Sequence, residues 1–235
     1  YADDFLIGVD GSKADAEALK AWLAEFLETE LHLELSEQKT LVTNAKDRVR
    51  FLGYDIKKWS GKRKIRLHTA NGIFVKRTTT QHLALLMPRD KVHEFIRHYG
   101  KPNNQWHGER RPRLLHLSEL EIMMTYNSEL RGFLNFYSLA DNLSAVAANI
   151  LWMASSSFFR TLANKRQSSL SKVARSMKRG PGEYVLTITK ANGKTRDYRL
   201  FCSTRQLNRG PVTWTDPDLK PNLWAFQAHT ELGER

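Results

Sequence analysis

The chain has a single cysteine, Cys202, among 235 residues, which excludes an internal disulfide framework and a cysteine-cluster zinc site and points to a reducing compartment. The default role for Cys202 is a small core residue. No uncharged apolar run approaches the roughly 18 residues of a membrane-spanning helix, so a membrane partner is not expected. Internal repeats and low-complexity tracts are also missing. Acids are absent from two long stretches: residues 57–77, with Lys57, Lys58, Lys62, Arg63, Lys64, Arg66, Lys76 and Arg77, and residues 142–182, with Arg160, Lys165, Arg166, Lys172, Arg175, Lys178 and Arg179. What is present is a basic and well-stocked composition, 37 Lys+Arg against 25 Asp+Glu, 41% hydrophobic residues, six Trp, seven Tyr and eleven Phe. That much apolar material rules out a disordered chain and fills one large or two modest domains. The charge is polarised: residues 1–40 hold ten acids and three bases, leaving 34 bases and 15 acids for residues 41–235. Positive fields of this kind suit phosphate backbones, and the plain alternative is a solvated basic face.

Along the chain, residues 1–9 read as a turn and a buried apolar strand. Ser12 with Asp15 signals a helix start, and Leu19, Trp22, Leu23, Phe26 and Leu27 repeat at helical spacing, which predicts one buried face on a sheet. Residues 31–35 alternate like a short strand, 36–44 read as a loop and a strand, and 50–56 as a strand interrupted by Gly53. A hairpin turning near Asn71-Gly72 follows. A helix is expected near 91–99, then a polar linker through Arg113 that contains Gly100 and Pro102. Ser118 and Glu121 form a capping box before a helix over 120–137. A second helix carries Leu143 to Ala154 on one stripe, a basic third runs over 157–177, and a hairpin closes around Asn192-Gly193. Three amphipathic helices with short connections predict a bundle.

Adjacent carboxylates at Asp3 and Asp4 offer the hard oxygen donors that magnesium takes in phosphoryl and nucleotidyl transfer, although a pair before an apolar run is by itself more often a plain turn. The wider pattern, Tyr-Ala-Asp-Asp at 1–4, Leu-Ser-Glu-Gln-Lys-Thr at 35–40 and Phe-Leu-Gly-Tyr at 51–54, resembles the palm of reverse transcriptases encoded by bacterial group II introns. The resemblance implies that Asp3 and Asp4 are the catalytic carboxylates and the Mg2+ ligands. It places Tyr1, Lys39, Gly53 and Tyr54 on substrate and primer, with Lys39 toward the incoming triphosphate and Gly53-Tyr54 in the wall that holds the primer end. Read without it, Lys39 is an exposed strand-end lysine and Gly53 a strand bulge.

Tyr126-Asn127, Arg131-Gly132 and Asn135-Phe-Tyr137, followed by Ser157, Thr161-Leu-Ala163 and Lys165, resemble the thumb-linked maturase domain of the same family. With that resemblance at Arg131 and Asn135, the basic run at Lys62, Arg63 and Lys64, and the basic helix with Arg160, Lys165, Arg166, Lys172 and Arg175, these are the expected RNA-binding residues, positioning rather than reading sequence. Phe133 and Phe136 read better as core. Residues 223–232 resemble the segment before a cysteine-rich endonuclease module, of which no Cys-x-x-Cys is present, and His93 and His98 are poorly spaced for a metal.

The expected fold is therefore α+β: part of an antiparallel polymerase palm with its helix over 1–78, a helical thumb and maturase bundle over 79–180, and a small hairpin region with a DNA-binding-like tail over 181–235. The resemblance implies group II intron RNA, template–primer RNA/DNA and target DNA as partners, in a bacterial cytoplasmic ribonucleoprotein. Two-metal chemistry needs a further palm carboxylate, so the isolated chain is expected not to polymerise unless a fingers-and-palm segment is supplied in the same or another polypeptide. The competing functions are a splicing maturase module without polymerase activity and a related defence-associated reverse transcriptase.

Overall fold

The computed structural model describes residues 4–60, 64–69, 72–77, 81–100, 107–189 and 193–207. Helix α1 (Lys13–Leu31) starts where the capping box predicts: the Ser12 side chain accepts from the Asp15 N–H while the Asp15 carboxylate accepts from the Ser12 N–H. The burial expected of it is not there. None of its residues is buried, and Trp22 and Phe26 stand 57% and 40% exposed. Residues 4–9 form no strand and are exposed throughout, which corrects the buried-strand expectation: an apolar run becomes a buried strand only when another strand pairs with it, and no strand pairs with this one among the described residues. Residues 31–44 likewise hold no strand. Helix α1 ends at His32 in the left-handed region, and Ser36 O accepts from the N–H groups of Lys39 and Thr40 in a turn.

Strands β1 (Val49–Phe51) and β2 (Tyr54–Ser60) pair in register with Phe51 opposite Tyr54. Only Leu52 and Gly53 connect them, at φ 46° and 80°, the two positive angles of a type I′ turn. Gly53 thus makes a tight hairpin, not a bulge. Strands β3 (Lys64–Thr69) and β4 (Gly72–Arg77) form a separate hairpin, and β5 (Gln81–Leu86) joins β2 to complete the order β1-β2-β5.

Helix α2 (Arg89–Ile96), a 3-10 turn at Pro112–Leu114, α3 (Glu119–Phe136), α4 (Leu143–Lys165) and α5 (Leu170–Met177) enclose the main core. The Ser118–Glu121 capping box is present in both directions. Helix α4 is one continuous element across the break expected at 155–157. No Gly or Pro interrupts it, and Ser155 and Thr161 return their hydroxyl protons to carbonyls one turn back instead of ending it. The break falls at Gln167, at φ 48°, before Ser169 caps α5. Strands β6 (Lys178–Gly180), β7 (Glu183–Thr189) and β8 (Thr195–Arg199) make a small antiparallel sheet whose Leu186 joins Leu200 and Phe201 in the helical core. Asn127, buried mid-helix on α3, donates to Arg199 O at 2.9 Å and accepts from the Phe201 N–H at 2.7 Å. One amide side chain thereby continues the sheet's hydrogen bonding into the helix. The molecule is α+β, with small antiparallel sheets at both flanks of a helical core.

Candidate nucleic-acid interface

Residues 107–113, expected as part of a linker, are instead fastened along α4. The Glu109 N–H donates to Tyr99 O at 2.6 Å, Ser157 Oγ donates to Glu109 O at 2.5 Å, and the Arg111 N–H donates to Thr161 Oγ1 at 3.0 Å. Gly108 lets the backbones touch, because a Cβ there would sit 2.3 Å from Met153 O and 2.4 Å from the Ser157 nitrogen. A polar loop can be this deep because its buried backbone groups find partners. The Tyr126 hydroxyl lies 2.8 Å from Ser157 Oγ and 3.2 Å from Thr161 Oγ1. Since both of those hydroxyls give their protons to carbonyls, the tyrosine is the donor in this cluster. Burial pushes its phenol up, which keeps that proton in place.

Arg111 anchors the same loop from below. It is buried, with a two-pronged ion pair to Glu129 at 2.8 Å on both arms, and Tyr99 Oη donates to the same carboxylate at 3.1 Å. Its guanidinium carbon lies 4.9 Å from the Tyr126 ring centroid and 5.5 Å from that of Tyr99. Burial works against both charges, lowering the guanidinium's pKa and raising the carboxyl's. The hydrogen bonds and mutual attraction more than offset it, so Arg111 ends above and Glu129 below its ordinary value. Arg111 is consequently a structural cation.

The loop's outward face is different. Together with α4 and the end of α2 it lines two adjoining open grooves of about 780 and 680 Å3. Among the described residues, their lining includes exposed Arg97, Arg110, Arg113 and Arg160, with Glu109 the one carboxylate. Asn164, Gln167 and Ser168 add neutral hydrogen-bonding groups at one end. A rigid backbone carrying exposed guanidiniums is suited to phosphates, which accept the planar fork in two bonds.

The expected RNA-binding residues divide by this geometry. Arg160 lies in the groove, and Lys172 and Arg175 are exposed on α5. Lys165 donates to Leu115 O at 2.9 Å, and Arg166 grips Glu119 through Nε at 2.7 Å and Nη2 at 2.5 Å. That pairing holds the Glu119 carboxyl below its ordinary value and the guanidinium above. These two bases therefore also tie α4 to the start of α3. Arg131 is exposed, 5.4 Å from the Phe201 ring, and Asn135 is exposed on α3. Lys62 and Arg63 lie outside the described residues, as do Tyr1 and Asp3, and for Lys64 only the β3 backbone is described. Asp4 is exposed at the start of the strandless segment 4–9, and Lys39 sits exposed in the 36–40 turn, not on a strand.

Gly53 and Tyr54 come together with the end of α3. The Tyr54 hydroxyl donates to Phe136 O, the two rings stack at 5.9 Å, and a Cβ on Gly53 would meet Phe136 Cε1 at 3.2 Å. Phe136 is 58% exposed, so it is a lid on the hairpin and not the core residue expected, whereas Phe133 is partly buried against Phe95 at 3.9 Å. Buried Asp55 takes Arg50 at 2.6 Å and Arg48 at 3.5 Å, and Arg50 reaches on to Asp90 at the start of α2. The Asp141 and Asn142 side chains accept from the N–H groups of Leu85 and Met87, both at 2.9 Å, which fixes β5 to the α3–α4 corner.

Comparison with known proteins places this architecture. Residues 85–204, from the end of β5 to the turn after β8, match the model of the type II intron maturase family. The chain belongs to that family. Across 237 aligned residues, 98% of this chain and 38% of the relative, this maturase chain is 38% identical to the group II intron-encoded protein LtrA of Lactococcus lactis subsp. cremoris. It is 30% identical over 169 residues, 70% of the chain and 20% of the relative, to a putative COX1/OXI3 intron 2 protein of Saccharomyces cerevisiae. It is 27% identical over 230 residues, 97% of the chain and 26% of the relative, to an uncharacterized 91 kDa protein in the cob intron of Schizosaccharomyces pombe. The chain spans 38% or less of the length of these relatives.

Sequence reasoning missed Arg97, Arg110 and Arg113. The signal for Arg110 and Arg113 was the run Glu109-Arg-Arg-Pro-Arg113, three arginines in four positions, in a stretch that reads as a linker.

Proposed function

We propose that this chain is the catalytic-palm end and maturase domain of a group II intron-encoded reverse transcriptase, and that Arg97, Arg110, Arg113 and Arg160 hold the phosphate backbone of the intron RNA. The observation that carries the reading is the 107–113 loop. Its backbone is fixed at three points, two of them on α4, while its exposed Arg110 and Arg113 line open grooves, within the segment that matches the maturase family. Contacts of this kind set position and are sensitive to salt, leaving sequence to base pairing within the RNA.

Asp3 and Asp4 would hold Mg2+ and supply the polymerase side of the same protein. Asp4 presents a carboxylate, the donor this ion takes one or two at a time, and its exposure leaves room for a substrate phosphate. Asp3 lies outside the described residues, and two-metal chemistry needs a further carboxylate, which another part of the same or another polypeptide would supply. When bound, the ions supply charge stabilisation at the attacking and leaving oxygens. Gly53 and Tyr54, braced by Phe136, would then form the wall beside the primer end.

The test is a separation of the two activities in the polymerase-competent protein that contains this chain. Asp3→Ala with Asp4→Ala should abolish cDNA synthesis and leave intron RNA affinity and splicing assistance intact. Arg110→Gln with Arg160→Gln should weaken RNA affinity. Loss of splicing assistance in the aspartate variant would count against the division, and unchanged affinity in the arginine variant against the groove.

A further inference from the structure

Trp152 is an anomaly on α4. Helix α4 buries Leu151, Met153 and Ala154 around it, yet Trp152 itself is 52% exposed. Its one described ring neighbour is His107, at 5.6 Å between centroids and tilted by 42°. His107 immediately precedes Gly108, whose backbone lies against Met153 and Ser157, so both rings stand on the rigid part of the loop–helix seam. Arg160 follows Trp152 by two helical turns, about 12 Å along the axis, and lines the arginine groove that begins at Gly108. A large exposed aromatic surface within about two nucleotide lengths of exposed guanidiniums, on a fixed scaffold, is the combination that binds unpaired nucleotides, with the bases stacking and the phosphates paired.

We propose that Trp152, steadied by His107, is a stacking platform for an unpaired base of RNA whose backbone runs through the groove of Arg110 and Arg160. This rests on the groove reading given above and deepens it: the occupant at this end is single-stranded. A duplex keeps its bases stacked on one another and leaves the indole nothing to cover, so the platform discriminates between the two forms. The indole carries no charge, so its contribution is independent of salt, unlike that of the arginines.

The experiment uses the full chain and two fluorescent probes, a mixed-sequence single-stranded oligoribonucleotide and the same strand annealed to its complement. Trp152→Ala should weaken the single strand about tenfold with an unchanged salt slope, leave the duplex within twofold, and be largely rescued by Trp152→Phe. His107→Ala should show a smaller loss of the same kind. Arg160→Gln should weaken both probes and flatten both salt slopes. The thermal midpoint is measured for every variant, since the exposed Trp152 should leave it unchanged. If Trp152→Ala leaves single-strand affinity within twofold, or weakens both probes equally, the platform is wrong while the groove stands. If neither probe binds the wild-type chain, or Arg160→Gln changes neither, the groove reading fails and takes the platform with it.

Discussion

Helix α1 has a complete capping box and no buried residue, whereas helix α4 has no side-chain cap and buries twelve of its 23 residues. Both carry apolar residues at helical spacing. In α1 the two largest, Trp22 and Phe26, stack on each other at 5.7 Å with much of their surface open to solvent. In α4 the cap residue Asn142 has its oxygen committed to the end of β5, and Phe158, Leu162 and Met153 are fully enclosed. The difference separates two decisions that periodicity merges. Caps and spacing decide whether a helix forms, and the surface beside it decides whether that helix contributes to the core.

The comparison can be broken by substitutions that distinguish local from tertiary stability. Phe158→Ala empties the centre of the α4 core and should cost about 3–5 kcal/mol, read by urea denaturation. Glu129→Ala strands buried Arg111 and should cost a similar 3–5 kcal/mol, with the loop 107–113 losing hydrogen-exchange protection at the same time. Asn127→Ala leaves the buried Phe201 N–H and the partly buried Arg199 carbonyl unmet at the β8 seam and should cost about 2 kcal/mol. The sharpest contrast is between identical caps. Ser118→Ala should lower global stability by about 1 kcal/mol, while Ser12→Ala should reduce helical circular dichroism with no change in the main unfolding transition. Equal shifts in the two cap variants would mean that α1 is part of the cooperative unit.

Acid sharpens the same point. Glu119 and Glu129 have folded pKa values below the ordinary 4.5, through Arg166 for the first and, against its burial, Arg111 for the second. A depressed carboxyl pKa stabilises the fold above the unfolded value and loses that contribution as pH falls through the folded value. Stability of the helical core should therefore hold down to about pH 5 and fall below pH 4.5. Glu129→Gln should start lower and show a shallower fall.

Much of the helical half was legible because its signals are local. The Ser118–Glu121 box and the Gly193 hairpin sit where their residues predict, and the motif words around Tyr126 and Thr161 led to the family whose model matches residues 85–204. The errors came from non-local facts. Nothing in Phe5 to Val9 says whether a strand lies alongside, and the serines at 155 and 157 look like a helix break until the hydroxyls of Ser155 and Ser157 are seen bonding to carbonyls. Arg110 and Arg111 are neighbours in one basic run, yet one is exposed and the other buried on Glu129, a division that only the path of the loop over α4 decides. The same applies to Lys165 and Arg166, which their charge marks for RNA and their geometry also commits to Leu115 and Glu119.

The most direct measurement is the salt dependence of intron RNA binding by the full chain, wild type against Arg110→Gln with Arg160→Gln. If the fixed loop presents its arginines to phosphates, the slope of log affinity on log salt should shrink by about 0.7–0.9 for each arginine removed, with the unfolding midpoint unchanged. An unchanged slope would contradict the account, because the exposed arginines of the groove would then carry no phosphate.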